Sequence, residues 1–129
     1  MYSIKKRFSF SAAHYLQGLP PTHPCSQLHG HNYEVEIEVQ TADVDRVGFV
    51  IDYRSLDGLK KMLDSQLDHQ CLNDVVKFNP TAENVAFMLW HTAHDALDLM
   101  MRDKHDYYRL IIHVSETPKT WASYDGEST

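Results

Sequence analysis

The chain has 129 residues, with 12 Lys plus Arg against 18 Asp plus Glu, for a net charge of −6. That length predicts a single domain over residues 1–129, burying roughly two-thirds of the surface its unfolded chain exposes. The acidic balance argues against binding along a nucleic-acid backbone, which needs Lys and Arg to displace counterions, and no apolar stretch approaches the roughly 20 residues of a membrane span. The N-terminal Lys5-Lys6-Arg7 has no apolar run behind it, so no secretory signal is expected. Cys25 and Cys71 lie far apart without a CxxC pairing, which suits reduced thiols and a cytoplasmic protein. Nine histidines are an excess that the fold alone does not call for.

Residues 3–14 predict a strand with Ile4, Lys6, Phe8, Phe10, Ala12 and His14 on one face. Gly18, Pro20, Pro21 and Pro24 make 15–28 a loop. In the next strand His31, Tyr33, Val35, Ile37 and Val39 alternate with Asn32, Glu34, Glu36 and Glu38, which predicts one buried face and one acidic, wet face. From Asp52, a candidate N-cap, Leu56, Leu59, Leu63 and Leu67 recur at helical spacing, with Gly58 inside. A second helix opens at Pro80-Thr81, with Thr81 as candidate N-cap and Glu83 in the first turn. Its apolar stripe runs Val85, Met88, Leu89, Ala93, Ala96, Leu97 and Met100. Tyr108 to Thr117 returns to strand character, and Trp121–Tyr124 is expected to pair beside it. Two strands, two helices and two strands predict an α+β fold with a mostly antiparallel sheet.

His29-Gly30-His31 is the strongest local signal. On an extended backbone, residues i and i+2 share a face, so two imidazoles converge, and the glycine between them removes a side chain. His14 closes the first strand, and the 15–28 loop can bring residue 31 back beside it. Three neutral imidazoles with an open fourth position is the arrangement of catalytic zinc. The plainer reading makes all three ordinary polar residues of a loop and a strand end. Cys25, four residues before His29, has three readings: a fourth ligand, an inert thiol, or a general base of lowered pKa. Asp68-His69 closes the first helix. The carboxylate there would orient the imidazole for proton transfer, or the pair would simply cap the helix.

Glu116 falls in parity with Leu110, Ile112 and Val114, as a rim residue or a ligand anchor. Its carboxylate would accept two parallel N–H bonds from the amino-pyrimidine edge of a guanine or pterin. Thr81 and Glu83 offer further polar groups, although helix capping accounts for both. His91 and His94 are expected on a helix's outer face, His105 and His23 in loops, and His113 on the strand face opposite Leu110. No GxxxxGK[ST] or GxGxxG loop is present, so no ordinary nucleotide-binding loop is indicated.

Taken together, Phe10-Ser11-Ala12-Ala13-His14, Cys25 through Tyr33, Asp68-His69-Gln70-Cys71-Leu72-Asn73, Pro80-Thr81-Ala82-Glu83-Asn84 and Glu116-Thr117-Pro118 resemble the 6-pyruvoyl-tetrahydropterin synthase family in order and spacing. The resemblance covers nearly the whole chain. It implies the tunnelling fold, an antiparallel four-stranded sheet with two helices on one face (ββααββ), assembled into hexamers with sites built between subunits. It implies zinc held by His14, His29 and His31, catalysis by Cys25, Asp68 and His69, and a pterin ring anchored by Glu116.

The three residues between Cys25 and the HGH motif resemble the bacterial 6-carboxy-tetrahydropterin synthase of the queuosine pathway. That branch converts 7,8-dihydroneopterin triphosphate with loss of triphosphate and acetaldehyde. The alternatives are the 6-pyruvoyl synthase, usually of longer spacing there, and a non-catalytic metal-binding oligomer of the same fold. Iron is a third possibility, since two histidines with a carboxylate bind Fe(II). Three imidazoles with no nearby carboxylate point instead to zinc.

Overall fold

β1 (Tyr2–His14) and β2 (His29–Thr41) pair antiparallel along their whole length, from Tyr2 opposite Thr41 to His14 opposite His29. They belong to a computed structural model that describes residues 1–126. Residues 127–129, the end of the expected domain, lie outside the described residues. β4 (Tyr108–Thr117) pairs antiparallel with β2, and β5 (Thr120–Tyr124) with β4. The expected four strands become five, because β3 (Gln70–Cys71) adds a short parallel pairing beside Ala12 and Ala13. The order is β3-β1-β2-β4-β5.

Because paired residues share a face, Phe8 and Phe10, Tyr33, Val35, Ile37 and Val39, and Leu110, Ile112 and Val114 form one buried apolar surface. Each such side chain contributes roughly 1.5–3 kcal/mol when fully buried. α3 (Ala82–Lys104) lies on this surface against β4 and β5 and buries Val85, Leu89, Ala93, Leu97 and Met101. The stripe therefore steps every four residues, and Ala96 faces solvent. No described helix is long and apolar enough to cross a membrane.

The segment expected as one helix from Asp52 is built in three pieces. Asp52 caps a 3-10 turn (Tyr53–Leu56) by accepting from Arg54 N–H at 2.9 Å. α1 (Asp57–Met62) follows, and a wide π turn (Leu63–Leu67) ends it, with Asp68 N–H donating to Leu63 O at 2.8 Å. Leu56, Leu59, Leu63 and Leu67 are all buried. The wide turn leaves Asp68 extended and facing β1 rather than continuing the helix. A four-residue α2 (Leu72–Val75) completes the crossing to α3.

The outer face of the sheet is less wet than the alternation implies. Glu38 is only 8% exposed, held by Ser3 Oγ at 2.7 Å, His113 Nε2 at 2.8 Å and Gln40 Nε2 at 3.0 Å. Burial raises its carboxyl pKa, but those three hydrogen bonds outweigh burial and hold it below its ordinary value.

Candidate metal centre

The β1–β2 register decides where three histidines meet. His14 stands opposite His29 and Ala12 opposite His31, so both histidines of the HGH motif join His14 on the helix-facing side. Their ligand atoms all lie within 4.8 Å of one another, and the ring centroids are 4.6–5.0 Å apart. Gly30 is not forced by backbone strain or crowding here. Its φ is not positive, and an added Cβ would meet only Ala12 O at 3.7 Å.

The second ring nitrogens of His14 and His29 are committed elsewhere. His14 Nδ1 donates to the carbonyl of Pro80 at 2.8 Å, and His29 Nδ1 to that of Gln27 at 2.7 Å. Carbonyls only accept, so the protons sit on Nδ1 and both Nε2 atoms present lone pairs. Those two Nε2 atoms face each other at 3.0 Å. The third, His31 Nε2, is buried without a hydrogen-bond partner among the described residues. Facing lone pairs beside an orphaned buried nitrogen fit a cation between the rings. Burial, as the largest cause, lowers the pKa of His14 and His31 and favours the neutral form that binds metal.

Two groups adjoin the cluster. Tyr33 is fully buried with its hydroxyl 3.2 Å from His14 Nδ1, and burial together with the Glu116 charge raises its pKa and keeps the phenol protonated. Glu116 brings Oε2 to 3.3 Å from His31 Nε2, so the expectation of no carboxylate near the imidazoles is wrong. The β4–β5 pairing shifts register between Val114 and Thr117, where Ser115 Oγ bonds Thr117 O. Glu116 sits in that irregular stretch, on a cleft of about 630 Å³ shared with His31, Asn32, Pro118 and Trp121.

Residues 3–127 match the family model described as 6-pyruvoyl tetrahydropterin synthase. The chain belongs to that family. Among its relatives, the 6-carboxy-5,6,7,8-tetrahydropterin synthase of Bacillus subtilis is 29% identical over 95% of this chain and 84% of its own. The 6-pyruvoyl tetrahydrobiopterin synthase of Drosophila melanogaster is 31% identical over 95% of this chain and 79% of its own. The structure of Caenorhabditis elegans 6-pyruvoyl tetrahydropterin synthase superposes with a TM-score of 0.78 at 26% identity, covering 98% of this chain and 96% of that one. The mixed α+β architecture, with its mainly antiparallel sheet, is that of this family's tunnelling fold.

The other residues singled out from the sequence lie around the triad rather than in it. Asp68 does not cap the helix with its side chain. One carboxylate oxygen accepts from Ser11 N–H at 2.8 Å, and the other from His69 Nδ1 at 2.9 Å. Those bonds, Ser11 first, hold Asp68 below the ordinary carboxylate range. His69 donates its own N–H to Ser11 O at 2.6 Å and takes a left-handed φ of 61°. Side chains other than glycine adopt that region only at a cost on the order of 1–2 kcal/mol. The Asp68 bond leaves His69 Nε2 open on an exposed ring, in a cleft of about 490 Å³ with Ser11, Ala13, Gly30 and Cys71. Ser11, Ala13, Gly30 and Asn32 line that cleft from the sheet face opposite the triad, and His31 also reaches it.

Cys25 is half-buried in a 3-10 turn (Pro24–Ser26), as a free thiol outside the group of three histidines. His23 caps that turn by accepting from Cys25 N–H at 3.0 Å. Thr81 is occupied as the α3 cap, accepting from Asn84 N–H at 3.1 Å, while Glu83 reaches a small cleft shared with Glu116. His105, expected in a loop, is buried at the end of α3, bonded to Val50 O at 2.7 Å and to Asp43 at 3.1 Å. Tyr33 and Pro80 were not legible as neighbours of the site. Tyr33's parity with His31 was the available signal, but Pro80's carbonyl has none in sequence.

Proposed function

We propose that this chain is a zinc-dependent 6-carboxy-5,6,7,8-tetrahydropterin synthase of one domain, residues 1–129. It converts 7,8-dihydroneopterin triphosphate and water to 6-carboxy-tetrahydropterin, with loss of triphosphate and acetaldehyde, in queuosine biosynthesis. The observation carrying the reading is the cluster of ligand atoms on His14, His29 and His31, with two Nε2 atoms 3.0 Å apart and the third buried beside Glu116 without a hydrogen bond among the described residues. Zinc bound there supplies Lewis acidity toward oxygens of the substrate's side chain.

The chain's own residues do the rest. Glu116 accepts paired N–H bonds from the pterin ring in the cleft beside His31. Cys25 takes a proton from the substrate side chain as thiolate. His69, held by Asp68 with Nε2 free, exchanges that proton. Thr81 and Glu83 are minor polar contacts at the start of α3.

His69 shares its cleft with only one of the three histidines, His31, and β3 covers only Ala12 and Ala13 of β1's outer edge. That edge and β5 are open to pairing with further copies. A hexamer whose sites draw residues from neighbouring subunits accounts for both features. Free Cys25 and Cys71 fit a reducing, cytoplasmic setting.

Incubation with dihydroneopterin triphosphate and mass spectrometry of the products tests the reading. A 6-carboxy product with acetaldehyde is expected. A 6-pyruvoyl product, the reading that the Drosophila relative favours, would overturn the product assignment. Metal binding without turnover would mean a non-catalytic oligomer. Because Glu116 stands close to His31, elemental analysis of protein purified without added metal decides between zinc and iron.

A further inference from the structure

Beyond His14 the backbone keeps the alternating hydrogen bonds of a strand, and asparagine side chains take the place of the neighbouring strand. Tyr15 donates its N–H to Asn73 Oδ1 at 2.9 Å and accepts from Asn73 Nδ2 at 2.9 Å. Two residues on, Gln17 donates to Asn79 Oδ1 at 2.9 Å and accepts from Asn79 Nδ2 at 3.0 Å. Between them Leu16 turns its N–H the other way, to the carbonyl of Cys25 at 2.8 Å. A carboxamide carries one donor and one acceptor group side by side, as a peptide edge does, so each asparagine satisfies both polar groups of one residue. Aspartate would lack the donor, and glutamine would set the same head one methylene too far out.

Both asparagines are themselves anchored beside groups that carry chemistry. Asn73 lies in α2, four residues after His69. Asn79 directly precedes Pro80, whose carbonyl receives His14 Nδ1–H, and its own carbonyl is held by Asn84 Nδ2 at 2.9 Å. The Cys25 turn is internally tied, with His23 N–H on Pro20 O, Ser26 on His23 O and Gln27 on Pro24 O. A turn closed on itself moves as a unit, so its place relative to the three histidines depends on its outward bonds, the Leu16–Cys25 bond among them.

We propose that Asn73 and Asn79 are positioning residues for Cys25. They hold residues 15–17 as a fixed rail whose far edge seats the Cys25 turn. This rests on the reading of Cys25 as the proton-transferring thiol. Reacting atoms must come within about 3–3.5 Å, and a misplacement of about 1 Å costs on the order of 100-fold.

The test uses the metal-loaded full chain carrying Asn73→Asp or Asn79→Asp, each of which keeps the acceptor but sets a carboxylate against a carbonyl. The expected result is a kcat lowered by about 10- to 100-fold, with KM and metal content nearly unchanged. Leu16 amide exchange should speed up while β1 amides stay protected. Iodoacetamide labelling of Cys25, read in a Cys71→Ser background, should change rate in step.

Wild-type kcat together with intact Leu16 protection would overturn the inference. A loss confined to KM or to metal content would overturn it equally, since the rail would then serve binding or the metal. If Asn79→Asp does not fold, Asn73→Asp in the short α2 decides alone. Normal turnover by Cys25→Ala would instead sink the reading of Cys25, and exchange and labelling would still show whether the asparagines seat the turn.

Discussion

His14 and His29 point their Nε2 atoms at each other across 3.0 Å while their Nδ1 atoms are bonded to the carbonyls of Pro80 and Gln27. Two lone pairs held face to face repel, and a cation between them removes the repulsion. The metal is thus expected to stabilise the fold as well as serve chemistry, by about 2.7 kcal/mol at a free concentration of 100 times Kd.

His29→Ala should therefore purify with background metal and show no rise in Tm when zinc is added. Tyr33→Phe, which leaves the Pro80 bond to His14 in place, should weaken metal affinity by about tenfold or more. Chelator competition measures both. Full metal occupancy in His29→Ala would refute the triad as the metal site.

Acid should destabilise the metal-free protein in a particular window. His14 and His31 have folded pKa values lowered from 6.5 by burial. A depressed pKa contributes stability above the unfolded value and loses it as pH falls through the folded one, because the unfolded chain binds the protons first. Metal-free Tm should be level just above about pH 6.5 and decline below it. A flat Tm from pH 7 down to pH 5 would contradict this.

Asp68→Asn tests the orienting bond to His69. The amide retains the hydrogen-bond acceptor for Ser11 N–H but loses the charge that stabilises a protonated His69. A kcat fall on the order of 100-fold, with KM nearly unchanged, is expected from steady-state kinetics. An unchanged kcat would remove Asp68 from proton transfer and leave it a clamp on β1.

For Glu116→Gln the opposite kinetic split is expected. Replacing a charge-assisted pair of hydrogen bonds by an amide should raise KM by about 10- to 100-fold. Equilibrium binding of a non-reacting pterin, followed by fluorescence, checks the same loss without turnover. Undiminished binding would place the ring elsewhere.

Leu67→Ala addresses the fold. Leu67 is fully buried at the end of the wide turn that delivers Asp68 to β1. A stability loss of about 2–5 kcal/mol is expected from denaturant unfolding. A loss below about 1 kcal/mol would mean the turn is not anchored by its leucine.

Much of this molecule is legible in one dimension. Period-two alternation located β1, β2 and β4 and their buried faces, since a strand on a core must present every second side chain to it. Strand parity likewise put His29 and His31 on one face. What one dimension could not supply was anything dependent on contact between distant segments. The pairing of His14 with His29 follows from register, and β3 forms only because the π turn returns the chain to β1. Glu38 is drawn out of water by Ser3 and His113, which no local pattern announces.

The same division runs through the candidate site. The candidate groups are readable along the chain: three imidazoles, one thiol, an Asp-His pair and a strand-end carboxylate. How those groups are held follows from packing in three dimensions. Pro80 and Gln27 set the tautomers of His14 and His29, Glu116 came against His31, and two asparagines took up the backbone beyond His14. Apart from the local Gln27–His29 bond, those contacts join residues dozens of positions apart, whose partners become specific only once the sheet and helices have packed.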